Sequence, residues 1–450
     1  MIRQVKSFPV HDAKSFLRHL TAYGSRSNNF CLLNSNRSFY PSRDKYSGYD
    51  LLAGTGSIDV LKPERDSFHS LRAFHDAHRD WLFGFFGYDL KNETAKLSSS
   101  NFDGLGFPSI HFFRPQYVIA VRGDNCEIYF DPRHDDEKSA DRLFDKINSG
   151  VNVIDEKDFP EVQFEIKQRV SHDDYLENVK NILAHIQRGD VYELNCCQEF
   201  YSDDAHINSA EIYLRLNDFS PMPFSCFYRC DDKYLLCASP ERFLKKSGIN
   251  IISQPVKGTI IRGKTEAEDS LLKEKLLNDE KERAENVMIV DLVRNDLSHT
   301  ARKGSVKVEE LFGIYSFPHL HQMISTVTSE MRNDVHWTDV IRSAFPMGSM
   351  TGAPKIRALQ LIEQYEKTKR GLFSGSVGYI TPDGDFDFNV VIRSMLYNAG
   401  SNYLSFIAGS AITARSNPEM EYEECLLKAS AFFKIFSDDA KPTKKPFVHA

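Results

Sequence analysis

Residues 254–264, QPVKGTIIRGK, place Lys257 directly before a glycine and two positions after Pro255, behind the strand-like run 249–253. An amine fixed at such a place is a candidate nucleophile, provided its surroundings let it lose a proton. Two other patterns accompany it. Glu282 and Glu285 stand three apart in a helical stretch, and Glu421 and Glu424 repeat the spacing near the start of another, so each pair can project from one side of its helix. Carboxylate oxygens of this kind suit Mg2+, which takes only one or two protein carboxylates and leaves room for a carboxylate of the substrate. The string 348–355, GSMTGAPK, has two glycines for close backbone approach and Pro354 at the first turn of a helix, so its amides could meet an anion. It is not a nucleotide P-loop, because Gly352 is followed by Ala353, Pro354 and Lys355 rather than by Lys and then Ser or Thr. Singly, these features read as a surface lysine, two solvated acidic faces and a strand-to-helix turn. Together they describe an enzyme handling a small anionic substrate around a hard metal ion.

Regular elements must hold these groups. Apolar residues at helical spacing from Tyr175 to Ile186 predict a helix over 172–187, closed by Arg188, Gly189 and Asp190. Strands are predicted over 192–201, 224–229, 233–238 and 249–253, with Ser239, Pro240, Glu241 and Arg242 in a break between two of them. Further helices follow over 266–278, 281–296, 337–345, 355–365 and 419–436, with strands over 375–380, 386–397 and 403–411. The first 160 residues read as a β-rich lobe, with strand-like runs over 81–88 and 116–121 and one helix at 139–148. The irregular alternation of strands and helices gives an α+β fold rather than a doubly wound sheet. We divide the chain into an N-terminal lobe (1–160) packed intimately on the rest, a catalytic region (161–440) and a C-terminal tail (441–450), with 151–161 as the seam. No repeat or low-complexity tract is present.

The totals exclude several classes. A net charge of −7 argues against a nucleic-acid binder, which carries a basic excess. No apolar run reaches the roughly 18 residues needed to span a membrane. The eight cysteines form no CxxC pair, and the N-terminal residues show no apolar signal region, which points to a reduced, cytoplasmic protein. Cys226, Cys230 and Cys237 lie in or beside apolar strands, where buried thiols are common, so no zinc site is expected.

In chain order, QPVKGT, RAENVMIVDLVRNDL, GSMTGAPKIRA, GSVGY, IRSM and EYEE run from Gln254 to Glu424. This ordered set resembles the chorismate-utilising enzymes over residues 173–436, and the first lobe matches only in length and texture. The resemblance implies large mixed or antiparallel sheets forming a β-sandwich core, with helices packed outside. It also implies chemistry at C4 of chorismate, because relatives that aminate C2 carry a small residue at the position of Lys257. On that reading Lys257 attacks C2 while the C4 hydroxyl departs. Ammonia then adds at C4 and expels the lysine, giving 4-amino-4-deoxychorismate on the route to 4-aminobenzoate. An ordinary lysine, with a pKa of ~10.4, needs desolvation or a nearby positive charge to react at neutral pH. Glu241, in Ser239-Pro240-Glu241-Arg242, is implied as the acid that protonates the leaving oxygen. Glu285 and Glu424 are implied as Mg2+ ligands, with Glu282 and Glu421 beside them or acting through water. Tyr379, Arg393 and Lys428 are implied to hold substrate carboxylates, Arg393 foremost because its planar guanidinium matches a carboxylate. Ser349, Thr351 and Gly352 would shape the adjoining wall, with Gly409 offering backbone contacts. Asp291, Arg294, Asn295 and Asp296 are expected to serve the helix that carries Glu285.

Two departures from the family pattern stand out. Gln322 occupies the place where anthranilate synthases carry a histidine, and a glutamine cannot remove the C2 proton needed for aromatisation. Ala411 replaces a glycine in AGSAIT (408–413), which tightens the space there. No cysteine sits in the G-x-C-x-G setting of a glutaminase, so ammonia is expected from a separate glutamine amidotransferase subunit. The alternatives are a C2-aminating synthase, an isochorismate or salicylate synthase, and a non-catalytic homologue that acts as a binding partner.

Overall fold

The structure, a computed structural model, describes residues 3–39, 45–150 and 164–436. The seam predicted at 151–161 and the tail at 441–450 lie outside the described residues. Two large antiparallel sheets face each other, of twelve and ten strands among the described residues. The first 160 residues contribute strands to both. In the larger sheet Asn29–Asn34 pairs with Phe224–Cys230, Leu33 opposite Cys226. In the smaller one Leu82–Phe86 pairs with Ser376–Ile380, Gly84 opposite Gly378. One apolar core fills the space between the sheets, with Phe83, Phe85, Phe113, Tyr228, Phe388 and Leu396 all buried. A second lies under helices on the outer face of the larger sheet, where Phe16, Leu20, Phe144, Tyr213, Cys425 and Phe432 meet. The α+β architecture with a sheet-on-sheet core and outer helices is therefore as the sequence implies.

Periodicity placed most helices well, since His172–Gln187, Glu266–Asn278 and Lys355–Tyr365 have the expected ends. Two of these starts are fixed by side-chain caps, Ser171 accepting from the Asp174 amide and Thr265 from the Glu268 amide. The helix Glu280–Ser298 begins likewise, with Asp279 accepting from the Glu282 amide. The N-terminal lobe holds more helix than predicted, because Ala13–Gly24 and Ser67–His78 join Glu137–Asn148.

The main correction concerns 386–397, predicted as one strand. It is two, Phe386–Asn389 in the smaller sheet and Ser394–Asn398 in the larger. Between them the chain crosses from one sheet to the other. A second crossing runs beside it, from Lys233–Ser239 to Arg242–Ser247, with Pro240 and Glu241 at the turn. The two crossings are hydrogen-bonded together, the Val390 amide donating to the Glu241 carbonyl (3.0 Å) and the Ala238 amide to the Arg393 carbonyl (3.0 Å). Glu241 and Arg393 thus stand where the backbone leaves one sheet for the next. There, side chains escape the alternation that strands impose.

Candidate active site

Lys257 lies on the strand Val256–Ile261, which pairs with Leu320–Glu330. The register shifts between Val256 and Thr259, around Gly258 at φ +85°. Such an irregularity re-aims side chains. A Cβ at Gly258 would also stand 3.2 Å from Glu282 Oε2, a tight contact to which that side chain would have to give way. The largely buried Lys257 Nζ donates to Glu193 Oε1 at 2.9 Å and lies 3.9 Å from Glu285 Oε2. Burial pushes its proton affinity down, but the charges of Glu193, Glu285 and Glu241 outweigh that and raise its pKa. The lysine is therefore an ammonium in this arrangement, opposite to the shift that a nucleophile needs. Glu193 Oε2 is buried without a hydrogen-bond partner.

Glu241 is 3% exposed. Burial pushes its pKa up to about 7, with Ser349 and Lys257 tempering the shift. Ser349 Oγ, although close, makes no well-formed hydrogen bond. A carboxyl group in this state is protonated in a substantial share of molecules at neutral pH, and in that form it can give its proton to a leaving oxygen. Beneath Glu241 a small pocket is lined by Ser253, Pro255, Met347, Gly348 and Ser349.

The two glutamate pairs approach one another from the helices Glu280–Ser298 and Pro418–Phe436. Burial pushes Glu285 up to about 7 and also raises Glu282. Burial would raise Glu424 too, but Lys428 Nζ at 2.7 Å overrides it and its pKa is lowered. Lys281 bridges the two helices, with its Nζ 3.8 Å from Glu285 Oε1 and 3.9 Å from Glu421 Oε1. Glu285 Oε1 and Glu421 Oε2 are buried and accept no hydrogen bond. Among the described residues no three ligating side chains are already drawn into a metal cage. An all-oxygen donor set with two unpartnered buried oxygens nevertheless fits a hard cation that keeps most of its waters.

The remaining candidates divide. Arg393 adopts φ +49°, a conformation costly for a non-glycine residue. Its guanidinium makes no hydrogen bond or ion pair among the described residues, and burial alone lowers its pKa to about 10. Lys428 donates to the Gly409 carbonyl at 2.8 Å besides pairing with Glu424. Gly409 allows the close pairing of Tyr403–Thr413 with Glu193–Ser202, since a Cβ would meet the Cys196 carbonyl at 2.2 Å. Gly352 does the same against the Glu193 carbonyl, at 2.1 Å and φ +147°. Thr351 holds its own turn, its hydroxyl donating to the Met347 carbonyl at 3.0 Å. The amides of Met350 and Thr351 are likewise engaged within the turn. Lys355 pairs with Asp296 at 2.7 Å. The string 348–355 is thus a framework for Ser349 and Glu193, in which the Met350 and Thr351 amides are already engaged.

Tyr379 is not with the others. It packs on Trp81, Phe83 and Tyr49 and lines a second pocket with Asn34, Phe224, Arg242 and Asp387. Of the departures, Ala411 pairs with Asn195 in the strand beside Glu193. Gln322 is buried opposite Thr259, with its Oε1 unpartnered.

Two residues of this site were not foreseen. Glu193 gave little sign, because a carboxylate opening a mostly neutral strand, ELNCCQ, looks like a strand end. Lys281 did carry one. A cation in the first turn of a helix opposes the positive end of the helix dipole and needs a compensating partner.

The family described as chorismate binding enzyme matches residues 34–434. The chain is 32% identical over 410 residues to an aminodeoxychorismate synthase of the chloroplast from Arabidopsis thaliana, covering 86% of this chain and 44% of that protein. It therefore spans about half the length of the plant relatives it matches. Aminodeoxychorismate synthase component 1 of Bacillus subtilis is 29% identical over 458 residues, covering 96% of each. Anthranilate synthase component 1 of Thermus thermophilus is 35% identical over 389 residues, covering 84% of this chain and 83% of that one. The fold is that of the solved anthranilate synthase component I from Streptococcus pneumoniae, with a TM-score of 0.71 at 21% identity over 95% of this chain and 92% of that one.

Proposed function

The chain belongs to the chorismate binding enzymes, and from that premise we propose that it aminates chorismate at C4, the activity of an aminodeoxychorismate synthase component 1. The observation that carries the reading is a buried lysine, Lys257, held by Glu193 in one site with the buried Glu241, whose pKa is pushed up to about 7. Lys257 Nζ gives up a proton, for which Glu193 Oε1 is the nearest acceptor, and forms a bond to C2 of the ring. Both conjugated double bonds of the ring shift, from C1=C2 and C5=C6 to C1=C6 and C4=C5, as the C4–O bond breaks. Glu241 supplies the proton with which that oxygen leaves as water. Ammonia then attacks C4, both double bonds return, and the C2–N bond to Lys257 breaks, the proton lost by the new C4 amine passing to the departing Lys257 nitrogen. Arg393, a cation without a hydrogen-bond or ion-pair partner among the described residues, holds a substrate carboxylate. Glu285 and Glu424, aided by Glu282 and Glu421, would hold Mg2+. That ion, when bound, would grip the ring carboxylate and offset the carboxylate field that keeps Lys257 protonated.

Ammonia is supplied by a glutamine amidotransferase partner. All eight cysteines are buried and so unsuited to serve as a glutaminase nucleophile here. Among the described residues no helix is long and apolar enough to cross a membrane.

The test incubates the protein with chorismate, Mg2+ and ammonium, following the product and the intact mass. A C4 amine and a transient adduct on Lys257 are expected. Anthranilate as the product would support the second reading, which the Thermus relative favours and the buried, non-basic Gln322 opposes.

A further inference from the structure

Lys281 occupies an unfavourable place for its charge. It is the second residue of the helix Glu280–Ser298, where exposed amide hydrogens already create positive potential. Both neighbours, Glu280 and Glu282, conform to the usual preference, whereas Lys281, like Arg283 after it, opposes it. What offsets the cost lies on the neighbouring helix as well as its own. The Lys281 Nζ stands almost equidistant from Glu285 Oε1 (3.8 Å) and Glu421 Oε1 (3.9 Å), too far from either for a hydrogen bond. It is therefore a positive charge suspended between two carboxylates, in a space wider than an ammonium fills. Its side chain is 46% exposed, so it can swing into water without disturbing the core.

The same two carboxylates carry the unpartnered buried oxygens, Glu285 Oε1 and Glu421 Oε2. We propose that Lys281 is a tethered cation that competes with a divalent metal for Glu285 and Glu421, so that metal entry requires its ammonium to leave. The inference rests on the reading of these glutamates as the metal site. It differs from a substrate contact because its effect falls on the metal. It also differs from a plain surface ion pair, because the partners are two buried carboxylates on separate helices.

The test titrates Mg2+ calorimetrically into wild type, Lys281→Met and Glu285→Gln after treatment with chelator, and records thermal unfolding with and without the ion. Lys281→Met is expected to bind Mg2+ about 3- to 10-fold more tightly, as the loss of two half-screened pairs would give. Its unfolding midpoint in chelator should fall, and the rise on adding Mg2+ should exceed that of wild type. The advantage should shrink at high salt, as screening requires. Mg2+ affinity unchanged or weakened in Lys281→Met, with wild type binding and Glu285→Gln not, would overturn this inference and leave the metal site standing. A raised KM for chorismate at unchanged Mg2+ affinity would make Lys281 a substrate contact and overturn it too. If wild type binds no Mg2+ at all, the metal reading fails and takes this inference with it.

Discussion

Two buried ionic clusters lie a few residues apart along the strand Glu193–Ser202, and they are built on opposite principles. Around Arg370, 1% exposed, every N–H is engaged. Nε and Nη2 donate to the two oxygens of Glu366 (2.9 and 2.6 Å), Nη2 also to the Asn195 carbonyl (3.0 Å), and Nη1 to the Met350 carbonyl (2.7 Å) and Ser374 Oγ (3.2 Å). Glu366 in turn accepts from the Cys197 amide at 3.0 Å. The pair continues the hydrogen bonding of that strand where Gly352–Ala353 ends, and it ties the strand to the turn that carries Ser349. Around Lys257 the cluster is unfinished. Glu193 Oε2, Glu285 Oε1 and Glu421 Oε2 have no hydrogen-bond partner, and three carboxyl groups crowd one ammonium. Since buried polar groups are normally satisfied, the completed cluster reads as scaffold and the incomplete one as a site awaiting a ligand.

Removing the central cation of each cluster separates the two most sharply. Lys257→Ala should lower C4 amination by about 10^4-fold or more, as loss of a nucleophile does, with little change in unfolding. Stability should hold because the carboxylates it abandons can take up protons, as Glu285 nearly does already. Arg370→Met should instead cost about 3–5 kcal/mol in urea unfolding, because it strands Glu366 and two backbone carbonyls in the interior. Should Lys257→Ala retain near-native amination, the nucleophile assignment fails. A stability loss under about 1 kcal/mol in Arg370→Met would remove the contrast between the clusters.

The second cluster's acid offers the next effect. Glu241→Gln is expected to reduce turnover about 10^2-fold, in the range for loss of a general acid. The folded pKa of about 7 lies above the ordinary carboxylate value, so the folded state binds the proton more tightly than the unfolded one. Turnover should fall as pH rises through about 7, and stability should decline with rising pH between the ordinary value and about 7. Glu241→Gln should lose that turnover limb and flatten part of the stability slope, leaving the share contributed by Glu285. A pH profile unchanged in the variant would assign the limb to another group.

The contrast also explains what could be read from the sequence. Helices with clear periodicity and capping residues, such as His172–Gln187 behind Ser171, were legible because local energies decide them. The glutamate pairs were legible because three-residue spacing survives folding. The break at 390–393 was not, because Val390, Val391 and Ile392 favour strand locally and only the arrangement of two sheets makes them a crossing. Glu193 was not, because nothing near it in sequence predicts Lys257, sixty-four residues on, as its partner. Arg370 escaped for the same reason, as its carbonyl partners Asn195 and Met350 come from distant segments.

Tyr379 offers the finest discrimination, since sequence resemblance implies that it holds a substrate carboxylate, while in the structure it lines the second pocket. Its ring packs among Trp81, Phe83 and Tyr49 in a pocket also lined by Arg242, which is bound to Asp387 at 2.9 Å. Tyr379 lines the pocket of Asn34 and Phe224, whereas the buried Arg393 guanidinium has no hydrogen bond or ion pair among the described residues and is left for a carboxylate. Tyr379→Phe keeps the ring and so the packing, removing only that hydroxyl. The KM for chorismate should change by less than about twofold, whereas Arg393→Lys, with its lost fork geometry, should raise it about tenfold or more. A tenfold rise in Tyr379→Phe would mean that the second pocket communicates with the substrate, and the line drawn here between the finished and unfinished regions would have to move to include it.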